Sequence, residues 1–82
     1  MNMPTRLADA KSDFERLAEL SPADTPQQAK ALLQLGRICV KLNDLVQAKQ
    51  HLKKALEIDK KIDAFTPDER SEITRIIQSN GV

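Results

Sequence analysis

Tryptophan and tyrosine are absent from this chain, and two phenylalanines, Phe14 and Phe65, are its only aromatic residues. In 82 residues the core is therefore thin, so its helices must pack efficiently or a partner must share the core. A single cysteine, Cys39, excludes an intramolecular disulfide. It falls on an apolar helical face with no helix N-terminus or histidine to activate it, so it reads as a small buried hydrophobe. An excess of charge is missing too. Thirteen basic and twelve acidic residues leave a net charge of +1, which gives no general attraction to nucleic acid or to an anionic membrane. Only a local patch could do that. No run approaches the roughly 20 apolar residues of a membrane span, and no membrane partner is expected. The opening MNMPTRLADAKSDF lacks the apolar stretch of a signal peptide, which makes a cytoplasmic, reducing compartment the default.

Strand patterning is lacking as well; four helical patterns take its place. The first is expected over residues 5–20, with Thr5 as N-cap and Leu7, Ala10, Phe14 and Leu17 forming one apolar stripe. Lys11, Asp13 and Arg16 fall on the opposite face, and Ser21-Pro22 ends the helix. Thr25-Pro26 opens the second helix, which turns Ala29, Leu32, Leu35, Gly36 and Cys39 inward and runs to about Leu42. Gly36 costs roughly 1 kcal/mol relative to alanine in a helix interior, and a close helix contact would account for it.

Asn43-Asp44 is a tight turn, so a third helix must run antiparallel to the second as far as Lys61. Its inward residues are Leu45, Ala48, Leu52, Ala55, Leu56 and Ile58. Lys49, Lys53, Lys54 and Lys60 give it a basic outer face, and Lys60-Lys61 complement the helix dipole. Thr66-Pro67-Asp68-Glu69 carries a capping box that opens a fourth helix over 66–79, with Ile73, Ile76 and Ile77 apolar and Gly81 as a left-handed C-cap.

Catalytic and metal-binding constellations are not found. His51, the only histidine, falls on the polar side of the third helix and reads as a surface residue. It lies on a different face from Cys39, so the two do not begin a metal site. Helix capping and dipole compensation account for Asp68, Glu69 and Glu72. No glycine-rich phosphate loop is present. The chain is read as no enzyme, with no cofactor and no metal.

The second and third helices also share a pattern of small and large residues: Leu32, Leu35-Gly36, Cys39, Ala48, Leu52 and Ala55, closing on Leu56-Glu57-Ile58-Asp59. Over residues 29–62 this resembles one tetratricopeptide repeat, a family with a period of about 34 residues. Leu35-Gly36 match the family's Leu-Gly pair, and Ala48 and Ala55 match its two alanines. Leu32, Cys39 and Leu52 stand where Trp, Tyr and Phe are favoured, and Lys60 where Pro is common.

Ala10, Phe14, Leu17 and Pro22 resemble the second half of a preceding repeat, with Leu17 in place of the second alanine. Ala10 and Ala48 lie 38 positions apart, about four more than one period, which makes the linker around Ala23 slightly long. The 66–79 helix resembles a C-terminal capping helix or the first helix of an incomplete repeat. The resemblance implies an all-α fold in one domain over 1–82: a right-handed antiparallel helix-turn-helix stack of about four helices.

It also implies a function. First helices of such repeats line a concave groove for a peptide or partner helix, here through Lys30, Leu33, Gln34, Arg37, Val40 and Lys41. Two apolar groups flanked by three cations suit a protein segment carrying carboxylates. The implied role is a non-catalytic scaffold or adaptor. Such repeats need about three units for stability, so one repeat with two half-units implies a homo-oligomer or a place in a larger array. Two alternatives stand beside this reading. One is a generic four-helix bundle in which the small residues fall by chance. The other is a small regulatory nucleic-acid binder using Lys49, Lys53, Lys54, Lys60 and Lys61, against which count the near-neutral charge and the lack of stacking aromatics.

Overall fold

The structure, a computed structural model, describes residues 3–79 and contains four helices and no strand among them. They are α1 (Met3–Leu20), α2 (Pro26–Lys41), α3 (Leu45–Ile62) and α4 (Pro67–Gln78). The all-α stack expected from the sequence is what forms: α1 packs on α2, α2 on α3, and α4 on α3.

Local chemistry sets most of the boundaries. Thr25 Oγ1 accepts from the Gln28 N–H at 3.3 Å, Asp44 Oδ1 from the Gln47 N–H at 3.2 Å, and Thr66 Oγ1 from the Glu69 N–H at 3.2 Å. Glu69 completes its capping box by accepting from the Thr66 N–H at 2.9 Å. Each cap satisfies donors that the first turn leaves without intrahelical partners. The turns rest on left-handed residues at Asp24, Asn43 and Asp63, with φ values of 57°, 62° and 55°. Asn and Asp tolerate that region better than other side chains with a Cβ. At the α2–α3 turn, the Asp44 N–H reaches back to the Cys39 carbonyl at 2.8 Å, which leaves no room for anything but an antiparallel return. α1 starts at Met3, two residues before the start expected at Thr5. Gly81, expected as a C-cap, lies outside the described residues.

The α2–α3 contact is as close as Gly36 implied. A Cβ built on Gly36 would lie 3.0 Å from Leu52 Cδ1 and closer still to Cγ and Cδ2. Ala29, Cys39, Ala48, Leu52 and Ala55 are wholly buried around it. α2 is covered over a wider arc than its stripe implied, because Ala31, Leu33 and Ile38 are buried too.

On α1 the inward face is rotated relative to expectation. Ala18 is buried, whereas Leu17 is 46% exposed. Phe14 and Ala18, four residues apart, share a helix face, and alanine lets that face approach α2 closely.

The α3–α4 corner is held by Asp59, to which the repeat pattern assigned a place but no role. Asp59 is buried, and its carboxylate accepts from the Phe65 N–H at 2.8 Å and from Arg70 Nε at 2.7 Å. Arg70 also pairs with Asp63, just before the buried Phe65. Burial alone would push the Asp59 carboxyl up, but the Arg70 guanidinium and the Phe65 N–H together hold it below the usual carboxylate value. Phe65 and Ile73 are thereby fixed in the core, and α4 is held against α3. No helix among the described residues is long and apolar enough to cross a membrane.

Candidate protein-interaction site

Lys30, Gln34, Arg37 and Lys41 follow one another at steps of four, three and four, so they form one stripe along α2. Lys30 and Lys41 are exposed, and Gln34 and Arg37 are half-buried. Val40 flanks the stripe at 36% exposure. Leu33, expected on the same groove face, is buried in the core with Ile58, Phe65 and Ile73. It is a packing residue, because α2 is enclosed on that side.

Gln34, Arg37, Val40 and Lys41 come together around a depression of about 410 Å³, with Ile38 beside them and Glu72 and Ile76 supplied by α4. Lys30 is not in that lining. The wall from α4 was missed at the level of sequence, where Glu72 was read as serving its own helix end. Glu72 is instead the sixth residue of α4, and its carboxylate takes the guanidinium of Arg37 in a two-pronged pair. Arg37 Nε donates to Glu72 Oε2 at 2.9 Å, and Nη2 donates to Oε1 at 2.7 Å. The two residues are 35 positions apart. The signal was available, since one repeat period of about 34 beyond Arg37 falls on residue 71.

Each partner shifts the other. The hydrogen bonds from Arg37 hold the Glu72 carboxyl below its ordinary value, against the opposing effect of burial. Glu72 in turn raises the Arg37 guanidinium above its ordinary value. Both side chains remain more than a third exposed, so the pair sits on the open wall of the depression and not beneath it. The paired guanidinium, the ammonium of Lys41 and the apolar surface of Ile38, Val40 and Ile76 offer a mixed apolar and polar surface.

Elsewhere, the basic side of α3 is uneven. Lys53, Lys54 and Lys60 are exposed, Lys49 is half-buried, and Lys61 reaches Asp24 at 3.4 Å. His51 is half-buried, where the sequence placed it at the surface, and lines a second depression of about 240 Å³ opposite Glu15 and Glu19 of α1. Burial is the main influence on its imidazole and lowers it below 6.5. Cys39 is fully enclosed, and burial pushes its thiol up. Among the described residues no group of three or more His, Cys, Asp and Glu side chains is placed to hold a metal ion.

Comparison with known families finds a match between residues 29–62 and the tetratricopeptide repeat. No curated protein and no solved structure matches the chain significantly.

Proposed function

We propose that the chain, whose residues 29–62 match the tetratricopeptide repeat, is a non-catalytic scaffold or adaptor that binds other proteins, and that its α2–α4 depression receives an acidic, partly apolar segment of a partner. The observation that carries this reading is the convergence of Gln34, Arg37, Val40 and Lys41 with Ile76 around one depression. Apolar side chains of the partner rest on Ile38, Val40 and Ile76. Its carboxylates meet Lys41 at one end and Lys30 further along α2, roughly 16 Å away at the helical rise. A photo-reactive residue at Val40 is expected to cross-link the partner, and Lys30→Glu with Lys41→Glu to remove that cross-link. Cross-linking that persists unchanged in the double variant contradicts an acidic partner.

A second reading is supported by α1. Leu17 and Leu20 are 46% and 76% exposed, and Leu7, Ala10 and Phe14 beside them are only partly covered. An apolar edge of this kind favours self-association through α1. Sedimentation across a concentration series decides it, because a monomer at all micromolar concentrations excludes that reading.

A further inference from the structure

We propose that Glu72 is a built-in competitor for the groove: its carboxylate occupies the guanidinium fork of Arg37 until a carboxylate of the partner displaces it. The inference rests on the groove reading above and concerns how that groove is regulated.

Arginine recognises a carboxylate best through two parallel N–H donors, and Arg37 has both Nε and Nη2 committed to Glu72 at 2.9 and 2.7 Å. An arriving carboxylate therefore finds Lys41 available but Arg37 already filled with the chemistry it would itself supply. The placement of the pair makes exchange feasible. Arg37 and Glu72 are 36% and 37% exposed on the wall of an open depression, so water and a partner reach both. The other arginine pair differs on this point. Arg70 holds Asp59, which is only 6% exposed and also accepts from the Phe65 N–H, so displacing it would open the α3–α4 corner. Displacing Glu72 leaves its carboxylate at a surface where water solvates it, while Ile73 continues to anchor α4 in the core. Exposed ion pairs contribute little net stability, so a partner offering the same geometry competes against a weak hold. Occupancy of the groove and release of Glu72 become one equilibrium, and acidity at the right position in the partner is selected.

The test uses the full chain and a fluorescent octapeptide of leucine and glutamate, with a leucine–lysine peptide of the same pattern as control. Glu72→Gln keeps the side-chain shape and removes the competing charge. The proposal expects Glu72→Gln to bind the Leu/Glu peptide about three- to fivefold more tightly than wild type. It also expects that gain to vanish when Arg37→Gln is added, and the wild-type Arg37 Nε–H resonance to move on titration. Equal affinity of wild type and Glu72→Gln overturns the proposal and leaves the groove reading standing. A gain that persists alongside Arg37→Gln also overturns it, since it would reflect a loosened α4 and not a freed guanidinium. Absence of binding by both proteins, or binding unchanged by Lys41→Glu, overturns the groove reading itself and the competitor with it.

Discussion

Replacing Gly36 with alanine should destabilise the protein, although alanine is the better helix former. On propensity alone the exchange stabilises a helix interior by roughly 1 kcal/mol. The added methyl, however, would lie 3.0 Å from Leu52 Cδ1 and closer still to Cγ and Cδ2. Leu52 cannot swing away, because it is wholly buried, and the contact involves its branch carbon as well as its methyl ends. Overpacking of this kind costs about 1–3 kcal/mol, and the confined neighbour places this case toward the upper end. The net expectation is a loss of about 1–2 kcal/mol, read as a lowered urea midpoint with unchanged slope. In thermal unfolding that corresponds to a fall of several degrees, at about 4–8 °C per kcal/mol for a domain of this size. Gly36→Leu should lose more, by several kcal/mol.

The decisive form is a double-mutant cycle with Leu52→Ala. That substitution alone costs about 2–5 kcal/mol by leaving a cavity, but it removes the obstructing atoms. On its background Gly36→Ala should become stabilising by about 1 kcal/mol. If Gly36→Ala stabilises the otherwise unaltered protein, or destabilises both backgrounds equally, the close contact between Gly36 and Leu52 is not what the glycine serves.

Asp59→Asn should cost about 2–3 kcal/mol in urea unfolding, because it removes a charge that the buried corner and Arg70 are arranged around. A loss below about 0.5 kcal/mol, the range of an ordinary surface change, would contradict that role. Asp59 and Glu72 both have folded-state values below the ordinary 3.8 and 4.5, so their contribution is complete above those values and is lost as pH falls through the depressed ones. The share of the urea midpoint owed to these two carboxylates should hold down to about pH 4.5 and decline below it, and Asp59→Asn with Glu72→Gln should flatten that decline. His51 acts in the same direction at higher pH. Its folded value lies below 6.5, the unfolded chain takes up the proton first, and stability should fall as pH drops from 6.5 toward the folded value. Lys11 and Lys54 oppose its protonation while Glu15 and Asp44 favour it, and His51→Gln should abolish the slope. If α1 mediates self-association, Leu17→Glu with Leu20→Glu should leave a monomer by sedimentation with melting little changed; an undiminished dimer would exclude the α1 contact.

The helices were legible because their ends are marked by Thr25-Pro26, Asn43-Asp44 and Thr66-Pro67, and because Gly36 faces Leu52 at the position the small-residue pattern requires. The rest depended on contacts that a one-dimensional stripe does not hold. Leu17 and Ala18 both satisfy a helical period from Phe14, and only the approach of α2 selects the smaller one. Leu33 looked like a groove residue because α2 was read as having one buried face, whereas the neighbouring helices enclose it more widely. Asp59 is surrounded by charged neighbours in sequence, and its burial arises only when Phe65 folds back beneath it. Four of the six residues expected on the groove face line one depression, but its opposite wall belongs to α4. The repeat period brings Arg37 to within one residue of Glu72, but the partner itself is selected only once α4 stands beside α2.

The groove itself is tested most directly by following backbone and methyl resonances of the full chain during titration with the Leu/Glu octapeptide. The account predicts salt-sensitive shifts centred on Gln34, Arg37, Val40, Lys41 and Ile76, weakened by Lys41→Glu and absent with the Leu/Lys peptide. Shifts centred on Leu17 and Leu20, on the depression beside His51, or nowhere would contradict it.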